Sequence, residues 1–448
     1  MNFELDKQTI QDLEIFGNEK STNSIFHSYN YTKTNGGKKY LHGLMYTPLT
    51  DINKLQQRID TIKFIYDIEF ELSINSGQFE FIERYLNLNI PALRNNFLDA
   101  YIQSISYKLK PLNDYYIIQS GIKQLIFLFK HLDEKLQSLV DSSLPEELDN
   151  KIRQIQEFIR NQDIQKIISA KEDFSCVRLN SFDNLLRKKF KNEVVEIIQI
   201  IYGLDANISI AKAARIHKFT FPEYLPDSKP RLAITGLFHP LLENAIPYDI
   251  DFDETKNLCF LTGPNMAGKS TFLKSVGLSI YLSHLGFPVP ATQMETTIYN
   301  GIISTINLSD NMNRGYSHFY SEVKRVKETA LKIKEKGNLF VIFDELFRGT
   351  NVKDAFDASL LIIKSFAKIT NCTFYISTHI TEVAEEIKDF QSIQFMYFDS
   401  ELIDGKPIYN YKLLTGVSHE RLGMLILKNE KIIEILNSIS ETDKIEIH

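Results

Sequence analysis

The chain has 448 residues, of which 43% are hydrophobic, and a formal net charge of -6 at pH 7. This length suits two or three domains, and the composition supports a full hydrophobic core and argues against long disordered regions. The charge excludes a protein coated in basic residues, although it leaves room for a local basic groove.

Cysteine usage and the distribution of apolar residues indicate the cellular setting. The three cysteines, Cys176, Cys259 and Cys372, lie far apart and form no CxxC pair, which argues against a disulfide framework or a zinc site. The sequence contains no run of about 18 consecutive apolar residues, and its first residues are too polar for a secretory signal. We therefore expect a cytoplasmic protein without a membrane span.

The stretch from about residue 51 to residue 204 has a helical pattern with few glycines or prolines. Ile52, Leu55, Ile59 and Ile62 recur at spacings of three and four residues, which places them on one face of a helix. Similar apolar spacing recurs over 118–140, 150–170 and 182–202. We predict an all-α domain.

A change of texture follows, and it begins with three closely spaced prolines, Pro222, Pro226 and Pro230. Proline is poorly suited to continuing a helix. Beyond the prolines, short β-rich runs alternate with helical segments, and the runs at 258–262, 339–343 and 373–377 are typical of buried strands in a mostly parallel sheet. The predicted architecture is an α-helical domain over 1–225 followed by an α/β domain over 226–448.

The first chemical motif follows the strand that ends at Thr262. It fits the phosphate-loop pattern GxxxxGK[ST], in which glycines let backbone N–H groups surround phosphate oxygens at a helix N-terminus. Lys269 is expected to reach the β- and γ-phosphates of ATP, and Ser270 to bind Mg²⁺. The predicted nucleotide contacts are Gly263, Pro264, Asn265, Met266, Ala267, Gly268, Lys269, Ser270 and Thr271.

The second motif is the acid pair Asp344-Glu345, which directly follows the apolar run 339–343. Acids at the tip of a buried strand need a cation or water. With the phosphate loop upstream, we predict that Asp344 holds Mg²⁺ through water and that Glu345 orients or deprotonates the attacking water.

The third motif is His379, which follows the run 373–377. Its imidazole is predicted to emerge at the carboxyl edge of the same sheet, where ligands gather in open α/β folds. There it would contact the γ-phosphate or the attacking water. On its own, a histidine at a strand end has an equally ordinary structural interpretation.

A fourth element lies between the first two motifs. Ser317 precedes a helical segment with Phe319, Val323, Val326, Ala330 and Ile333 on one face. One interpretation is an ordinary N-cap serine. The other is that Ser317 and the helix dipole address the γ-phosphate of a second copy, in trans, which would require a homodimer.

Together these motifs resemble the MutS family of DNA mismatch repair proteins. GPNMAGKST (263–271), DELFRGT (344–350) and the Ser-Thr-His ending at His379 are similar to the family's motor motifs, and residues 316–322 resemble its counterpart of the ABC signature. Residues 238–250 and 411–423 are similar to the entry and the closing segment of the family's ATPase domain, and weaker similarity extends to residues 5–14. The resemblance implies an ABC-type P-loop ATPase domain behind a helical core or lever domain, with ATP and Mg²⁺ as ligands.

Departures from the family pattern limit what the resemblance implies. Phe347 stands where a glycine is usual, and Asn351-Val352 replace a usual Ser-Thr pair, both beside the acid pair. We expect the mismatch-reading and connector domains to be missing and the inserted DNA clamp to be absent or short. Mismatch reading is therefore not the expected role.

Two basic runs are candidates for DNA contact, because DNA affinity comes mainly from lysine and arginine neutralising phosphates. The denser run comprises Arg187, Lys188, Lys189 and Lys191, and the other comprises Lys33, Lys38 and Lys39. A solvated helix face explains either run equally simply. Tyr248 is a candidate for contact with the adenine ring.

The leading hypothesis is a dimeric MutS-like ATPase that uses its nucleotide cycle to change conformation on DNA, in a repair or recombination-type role. One alternative is a nucleotide-gated clamp for DNA or protein with little hydrolysis. Another is a different ABC-type ATPase, either a transporter motor or an SMC-like DNA organiser, although LSGGQ and sustained heptads are missing.

Overall fold

The computed structural model describes most of the chain, namely residues 2–17, 23–93, 113–137, 139, 143–170, 175–226, 229–306, 318–347, 350–403, 406–418, 431–433 and 435–436. It contains two compact units. The sheet unit comprises 1–28, 48–52 and 217–448, and the helical unit comprises 29–47 and 53–216. The predicted family domains, 1–225 and 226–448, divide the chain differently and stay a prediction.

The described part of the chain begins with a short strand and then continues through helices. These are β1 (Glu4–Leu5), α1 (Lys7–Asp12), α2 (Ile25–Tyr29), α3 (Asn35–Met45), α4 (Ile52–Asp67), α5 (Ser76–Leu86), α6 (Asn113–Gln137), α7 (Glu146–Arg160), α8 (Gln162–Ile168), α9 (Cys176–Asn184) and α10 (Lys191–His217), with a π-helical turn at Leu185–Lys189. Helical texture was therefore predicted correctly.

Side-chain caps and apolar stripes account for these helices. Thr34 accepts a hydrogen bond from Gly37 N at the start of α3, and Asn75 caps α5 in the same way through Gln78 N. The stripe predicted in α4 is buried at Leu55, Ile59 and Ile62. The predicted helix over 150–170 is in fact two helices, because the chain leaves the helical conformation at Asn161, which caps α8.

Helix α10 is the core helix of the helical unit. Within the described residues it alone is long and apolar enough to cross a membrane by length and composition, but 78% of its apolar window is buried inside the protein. Burial of this kind is typical of a globular core helix.

The remaining elements build the sheet unit. They are β2 (Glu223–Tyr224), β3 (Leu232–Leu237), β4 (Tyr248–Phe252), β5 (Leu258–Thr262), α11 (Lys269–Ser283), β6 (Gln293–Thr296), β7 (Gly301–Thr305), α12 (His318–Lys336), β8 (Leu339–Phe343), α13 (Val352–Phe366), β9 (Thr373–Ser377), α14 (Val383–Ile387), β10 (Ile393–Ile403) and β11 (Lys406–Thr415). The three strands predicted from sequence are β5, β8 and β9, and their bounds are confirmed.

The main sheet has the strand order β1-β7-β8-β9-β5-β10-β11 among the described residues. All neighbours pair in parallel except β10 and β11. Strands β5, β7, β8 and β9 are buried along their whole length, as in parallel sheets covered on both faces. Strand β9 lies between β8 and β5, so the carboxyl ends of these three strands meet at one edge. The fold class is therefore mixed α/β with a parallel sheet.

The N-terminal segment is part of this sheet unit. Strand β1 extends the sheet by pairing with β7, and the Asp12 carboxylate accepts hydrogen bonds from Ser304 Oγ at 3.0 Å and Ile306 N at 2.8 Å. Arg325 on α12 donates to Asp6 at 2.5 Å. These polar contacts join residues about 300 positions apart, which local sequence patterns do not reveal.

The predicted apolar face of α12 is partly wrong. Val326 and Ile333 are buried, but Val323 and Ala330 are exposed. Glu322 and Thr329 are buried in their place, so the helix is rotated relative to the prediction. A prediction that counts only apolar residues misplaces the buried face of a helix when polar side chains lie on that face.

Candidate functional site

The predicted phosphate loop connects β5 to α11. Gly263 and Gly268 have φ angles of 138° and 106°, in the left-handed region that favours glycine. A Cβ at Gly263 would lie 2.8 Å from the carbonyl oxygen of Phe398, so a side chain there would collide with backbone. Both glycines are therefore required by the loop's own conformation.

Lys269, the first residue of α11, folds back over this loop. Its ammonium donates to the carbonyl oxygens of Gly263 at 2.8 Å and Pro264 at 3.0 Å. Burial lowers the pKa of Lys269, while the negative charges of Asp344 and Glu345 oppose that shift. The ammonium is thus held at the loop by neutral carbonyls, with two acids nearby.

Asp344 follows β8, and its carboxylate accepts hydrogen bonds from two hydroxyl groups. Ser270 Oγ donates to its Oδ2, and Ser377 Oγ donates to its Oδ1. Burial raises the pKa of Asp344, and the two hydrogen bonds oppose that rise. The structure thus brings Ser270 and Asp344, the two predicted metal ligands, into direct contact.

Glu345 and His379 form the other polar pair. His379 Nε2 lies 2.5 Å from Glu345 Oε1, and the Glu345 backbone N–H donates to Ser377 Oγ at 2.9 Å. Glu345 has a φ of 54° and Phe347 a φ of 61°. Left-handed backbone costs a non-glycine residue about 1–3 kcal/mol and persists only where the surroundings enforce it.

The same backbone explains one departure from the family pattern. A glycine would adopt the φ of Phe347 without strain, which accounts for glycine being usual there. Phe347 offsets that cost by burial, since it is 3% exposed and its ring centroid lies 5.5 Å from that of Phe319 on α12.

A cleft of about 500 Å³ lies over the loop. Its lining includes the polar groups of Lys269, Ser270 and Glu345 and, from other segments, Leu242, Glu243, Asn244, Ala245, Ile246, Tyr248 and Tyr411. Tyr411 and Tyr248 lie close to Gly268 of the loop, within 4 Å of a Cβ built there. The cleft therefore combines charged and polar groups with apolar and aromatic side chains, which suits a ligand of mixed polarity.

Tyr248, the predicted adenine contact, lines this cleft but is only 8% exposed. It packs edge-on between Phe272 and Phe398, with centroid distances of 5.3 and 5.8 Å. Tyr411 is 42% exposed and offers more ring surface. Sequence reasoning missed Tyr411, although it stands at the start of the segment that resembles the family's closing motif.

Several predicted residues lie outside the described part of the chain. These are Ser317, the candidate for contact in trans, Arg348 and Gly349 of the acid-pair motif, and the end of the closing segment, 419–423. Their roles stay predictions.

The denser basic run is less available for DNA than its composition indicates. Arg187 is buried and donates to both carboxylate oxygens of Asp183, at 2.6 and 2.7 Å. Lys189 pairs with Asp163 at 2.6 Å. In the other run, Lys38 and Lys39 are exposed on α3. The candidate DNA contact at Arg187 is therefore wrong, because this side chain is committed to the core.

Comparison with known proteins identifies two family models along the chain. MutS domain III matches residues 8–313, and MutS domain V, the family's ATPase domain, matches residues 259–443. The DNA mismatch repair protein MutS of Thermotoga maritima is 30% identical over 269 residues, covering 59% of this chain and 33% of that protein. The MutS protein of Ehrlichia ruminantium is 26% identical over 380 residues, covering 84% of this chain and 45% of that protein.

The chain thus spans between a third and a half of the length of these curated relatives. The domain III model alone matches well over half of the chain, and the domain V model includes the sheet edge that carries Lys269, Asp344, Glu345 and His379. These matches agree with the resemblance read from the motifs, and the chain belongs to the MutS family.

Proposed function

We propose that the chain binds ATP with Mg²⁺ in the cleft over residues 263–271 and hydrolyses the β–γ bond. The observation that carries the proposal is the convergence of five side chains at one edge of the sheet. Lys269, the Ser270–Asp344 contact and the Glu345–His379 pair all lie at the carboxyl edge of the sheet, beside the N-terminus of α11. Anionic ligands bind at such helix N-termini in open α/β folds.

The donor set fits Mg²⁺ that arrives with a nucleotide. Within the described residues there is no cluster of three or more His, Cys, Asp or Glu side chains that could hold a metal on protein ligands alone. Mg²⁺ usually takes one or two protein oxygens and completes its shell with phosphate and water. Ser270 and Asp344 would hold it here, and the ion would neutralise charge on the transferred phosphoryl group.

The remaining residues divide the chemistry between them. Lys269 would leave its two loop carbonyls for phosphate oxygens, which are stronger partners for an ammonium. The Glu345 carboxylate would orient the attacking water and accept its proton, and His379 would hold that carboxylate in place. Loop N–H groups and charges would thus do most of the catalysis by positioning.

The apolar and aromatic side chains that line the cleft suit the base of the nucleotide. Tyr411 and Ile246 would cover the adenine, with Tyr411 supplying the exposed ring and Tyr248 supporting the wall from behind. The polar and the apolar side chains of the lining together match the phosphates and the base of ATP.

The coupling of hydrolysis to DNA rests on family membership and not on a site in the structure. We propose a homodimer whose composite ATP sites use Ser317 in trans, in a P-loop ABC-type domain, acting on DNA in a repair or recombination-type role. The relatives named above are DNA mismatch repair proteins. DNA, like the dimer, is therefore a proposed partner of this chain.

A nucleotide-gated clamp with little hydrolysis is the second candidate. One observation favours it, namely that the Glu345 carboxylate is already engaged by His379 at 2.5 Å. A base held in this way needs to be released or realigned before it can act on water. The transporter and SMC-like alternatives lose their support because the chain belongs to the MutS family.

The test is steady-state ATP hydrolysis by wild type and Glu345→Gln, without DNA, with linear duplex and with a four-way junction. DNA-stimulated hydrolysis that Glu345→Gln abolishes supports the motor. Hydrolysis that is indifferent to DNA but lost in Glu345→Gln supports the ATPase and removes the DNA coupling. ATP binding without hydrolysis in wild type contradicts the ATPase and supports the nucleotide-gated clamp.

A further inference from the structure

Ser377 is the residue that joins the two acids of the site. It is the last residue of β9, it is fully buried, and no motif argument singled it out for a role of its own. Its single hydroxyl proton goes to Asp344 Oδ1, and the same oxygen accepts the backbone N–H of Glu345 at 2.9 Å. The Ser377 carbonyl oxygen also accepts the N–H of Leu346 at 3.2 Å.

The three consecutive residues that follow β8, namely 344–346, are thus hydrogen-bonded to one residue of the neighbouring strand. The strand pairing makes this arrangement rigid, because Phe343 of β8 pairs with Ile376 of β9, and Leu261 of β5 pairs with Ser377 itself. The turn over 344–346 is also strained, because the backbone of Glu345 lies in the left-handed region. A turn of this kind needs partners that hold it in place.

The two hydroxyls on Asp344 are not equivalent. Ser270 is exposed to the cleft and is itself a proposed metal ligand, so its hydrogen bond to Asp344 is available for exchange. Ser377 is enclosed and has no competing ligand. The side-chain torsion that sets a carboxylate plane is broad and only twofold, so an external donor is needed to fix it.

We propose that Ser377 is the positioning residue of the site, fixing the plane of the Asp344 carboxylate for Mg²⁺ while anchoring the backbone of Glu345. This inference rests on the proposed function and adds a role for a residue outside the loop and the acid pair. Loss of the hydroxyl removes one hydrogen bond to the Asp344 carboxylate and one from the Glu345 N–H. The substitution should therefore weaken metal binding more than it weakens nucleotide binding.

The experiment measures Mn²⁺ binding directly, from the loss of the free-ion electron paramagnetic resonance signal, with ADP at saturation. Ser377→Ala is compared with Ser377→Thr, which keeps a hydroxyl, and with Ser359→Ala. Ser359 is a matched control because its buried hydroxyl contacts the carbonyl of Leu346, in the same turn, and touches neither acid. ADP affinity in EDTA and thermal unfolding are measured for each protein.

We expect the apparent Kd for Mn²⁺ to rise about tenfold in Ser377→Ala, as for loss of one hydrogen bond to a charged group. Ser377→Thr should recover most of this loss, Ser359→Ala should bind Mn²⁺ as wild type does, and ADP affinity in EDTA should not change. If Ser377→Ala does not fold, Ser377→Cys takes its place, since a thiol is a much weaker donor.

Three results overturn the inference. Mn²⁺ binding by Ser377→Ala within twofold of wild type removes the positioning role alone and leaves the proposed function standing. Equal losses in Ser377→Ala and Ser359→Ala, or a parallel loss of ADP affinity in EDTA, reduce Ser377 to a general structural residue. Failure of wild type to bind Mn²⁺ with ADP removes the proposed function and this inference with it.

Discussion

Two carboxylates, the buried Asp183 of the helical unit and the half-buried Asp344 of the sheet unit, are satisfied in different ways. In the helical unit, Asp183 is neutralised by Arg187, whose third guanidinium nitrogen, Nη1, donates to the carbonyl oxygen of Ile90 at 2.9 Å. In the sheet unit, Asp344 is held by two neutral hydroxyls, and the nearby ammonium of Lys269 is bonded to carbonyl oxygens instead.

The difference separates a closed ion pair from a site that can still take up a ligand. An ion pair whose hydrogen bonds all end inside the protein holds neighbouring segments together and has no capacity for a ligand. Burial raises the pKa of the Asp344 carboxylate, and Lys269 is not paired with it. A cation can therefore still bind at the carboxylate while an anion binds at the lysine. The first two predictions below test the two sides of this contrast, and the others extend it within the sheet unit.

The largest effect is expected in the helical unit. Arg187→Ala leaves Asp183 buried and uncompensated, which should lower the free energy of unfolding by about 4 kcal/mol. Urea denaturation followed by circular dichroism measures it. The control is Lys189→Ala, which breaks a more exposed pair and should cost less than about 1 kcal/mol. Equal losses in the two variants would contradict the assignment of Arg187 to the core.

Lys269→Ala tests the open site. Removing the ammonium should weaken Mg·ATP binding about a hundredfold, or about 2.7 kcal/mol, as expected for one partner of a desolvated charge pair. Binding is measured with a fluorescent ATP analogue. Lys274→Ala is the matched control, because Lys274 lies on the same helix but pairs with Glu14 at 2.6 Å. Retained affinity in Lys269→Ala would remove the lysine from the site.

The pH dependence of the free energy of unfolding should reveal the contribution of a buried histidine of the sheet unit. His284 Nε2 accepts from Tyr299 N, which can only donate, so Nδ1 carries the proton and donates to Leu49 O at 2.7 Å. Burial lowers the pKa of His284 to about 4. Since the unfolded value is higher, the stabilisation is present above about pH 6.5 and is lost as the pH falls towards 4.

At pH 5 the loss from His284 alone should be about 2 kcal/mol relative to pH 8. His239, whose pKa burial also lowers to about 4, should add a similar amount. Urea unfolding at a series of pH values measures the slope, and His284→Gln should make it shallower. A slope that His284→Gln leaves unchanged would show that this histidine does not carry the effect.

Tyr411→Ala is expected to have the smallest effect. Loss of one exposed ring from the cleft should weaken ATP binding about tenfold, or about 1.4 kcal/mol, within the range for stacking a base on an aromatic side chain. Tyr411→Phe should bind nearly as wild type does. Tyr409→Ala is the control, because Tyr409 contacts Tyr411 but does not line the cleft. An equal loss in both alanine variants would point to damage to β11.

Local patterns predicted much of the sheet unit. Buried parallel strands are continuous apolar runs, and for that reason the bounds of β5, β8 and β9 agree with the sequence. The loop between β5 and α11 was predictable for a similar reason, since its glycines are required by its own backbone. The face of α12 was predicted less well because Glu322 and Thr329 are buried among apolar residues.

Long-range pairing accounts for what the sequence did not reveal. The contact of Asp12 with Ser304 and Ile306 depends on the parallel pairing of β1 with β7, and β1 has only two residues. Ser377 and Tyr411 reach the site only because β9 and β11 are placed by the order of strands in the sheet. No spacing rule connects such positions along the chain.

The central claim is that the cleft over the loop binds Mg·ATP, and calorimetric titration of Glu345→Gln tests it most directly, because binding is then separated from hydrolysis. The account predicts a single site per chain with micromolar affinity, on the order of common enzyme–substrate constants, that weakens in EDTA. Absence of a binding signal in Glu345→Gln and in wild type, with both proteins folded, would contradict it.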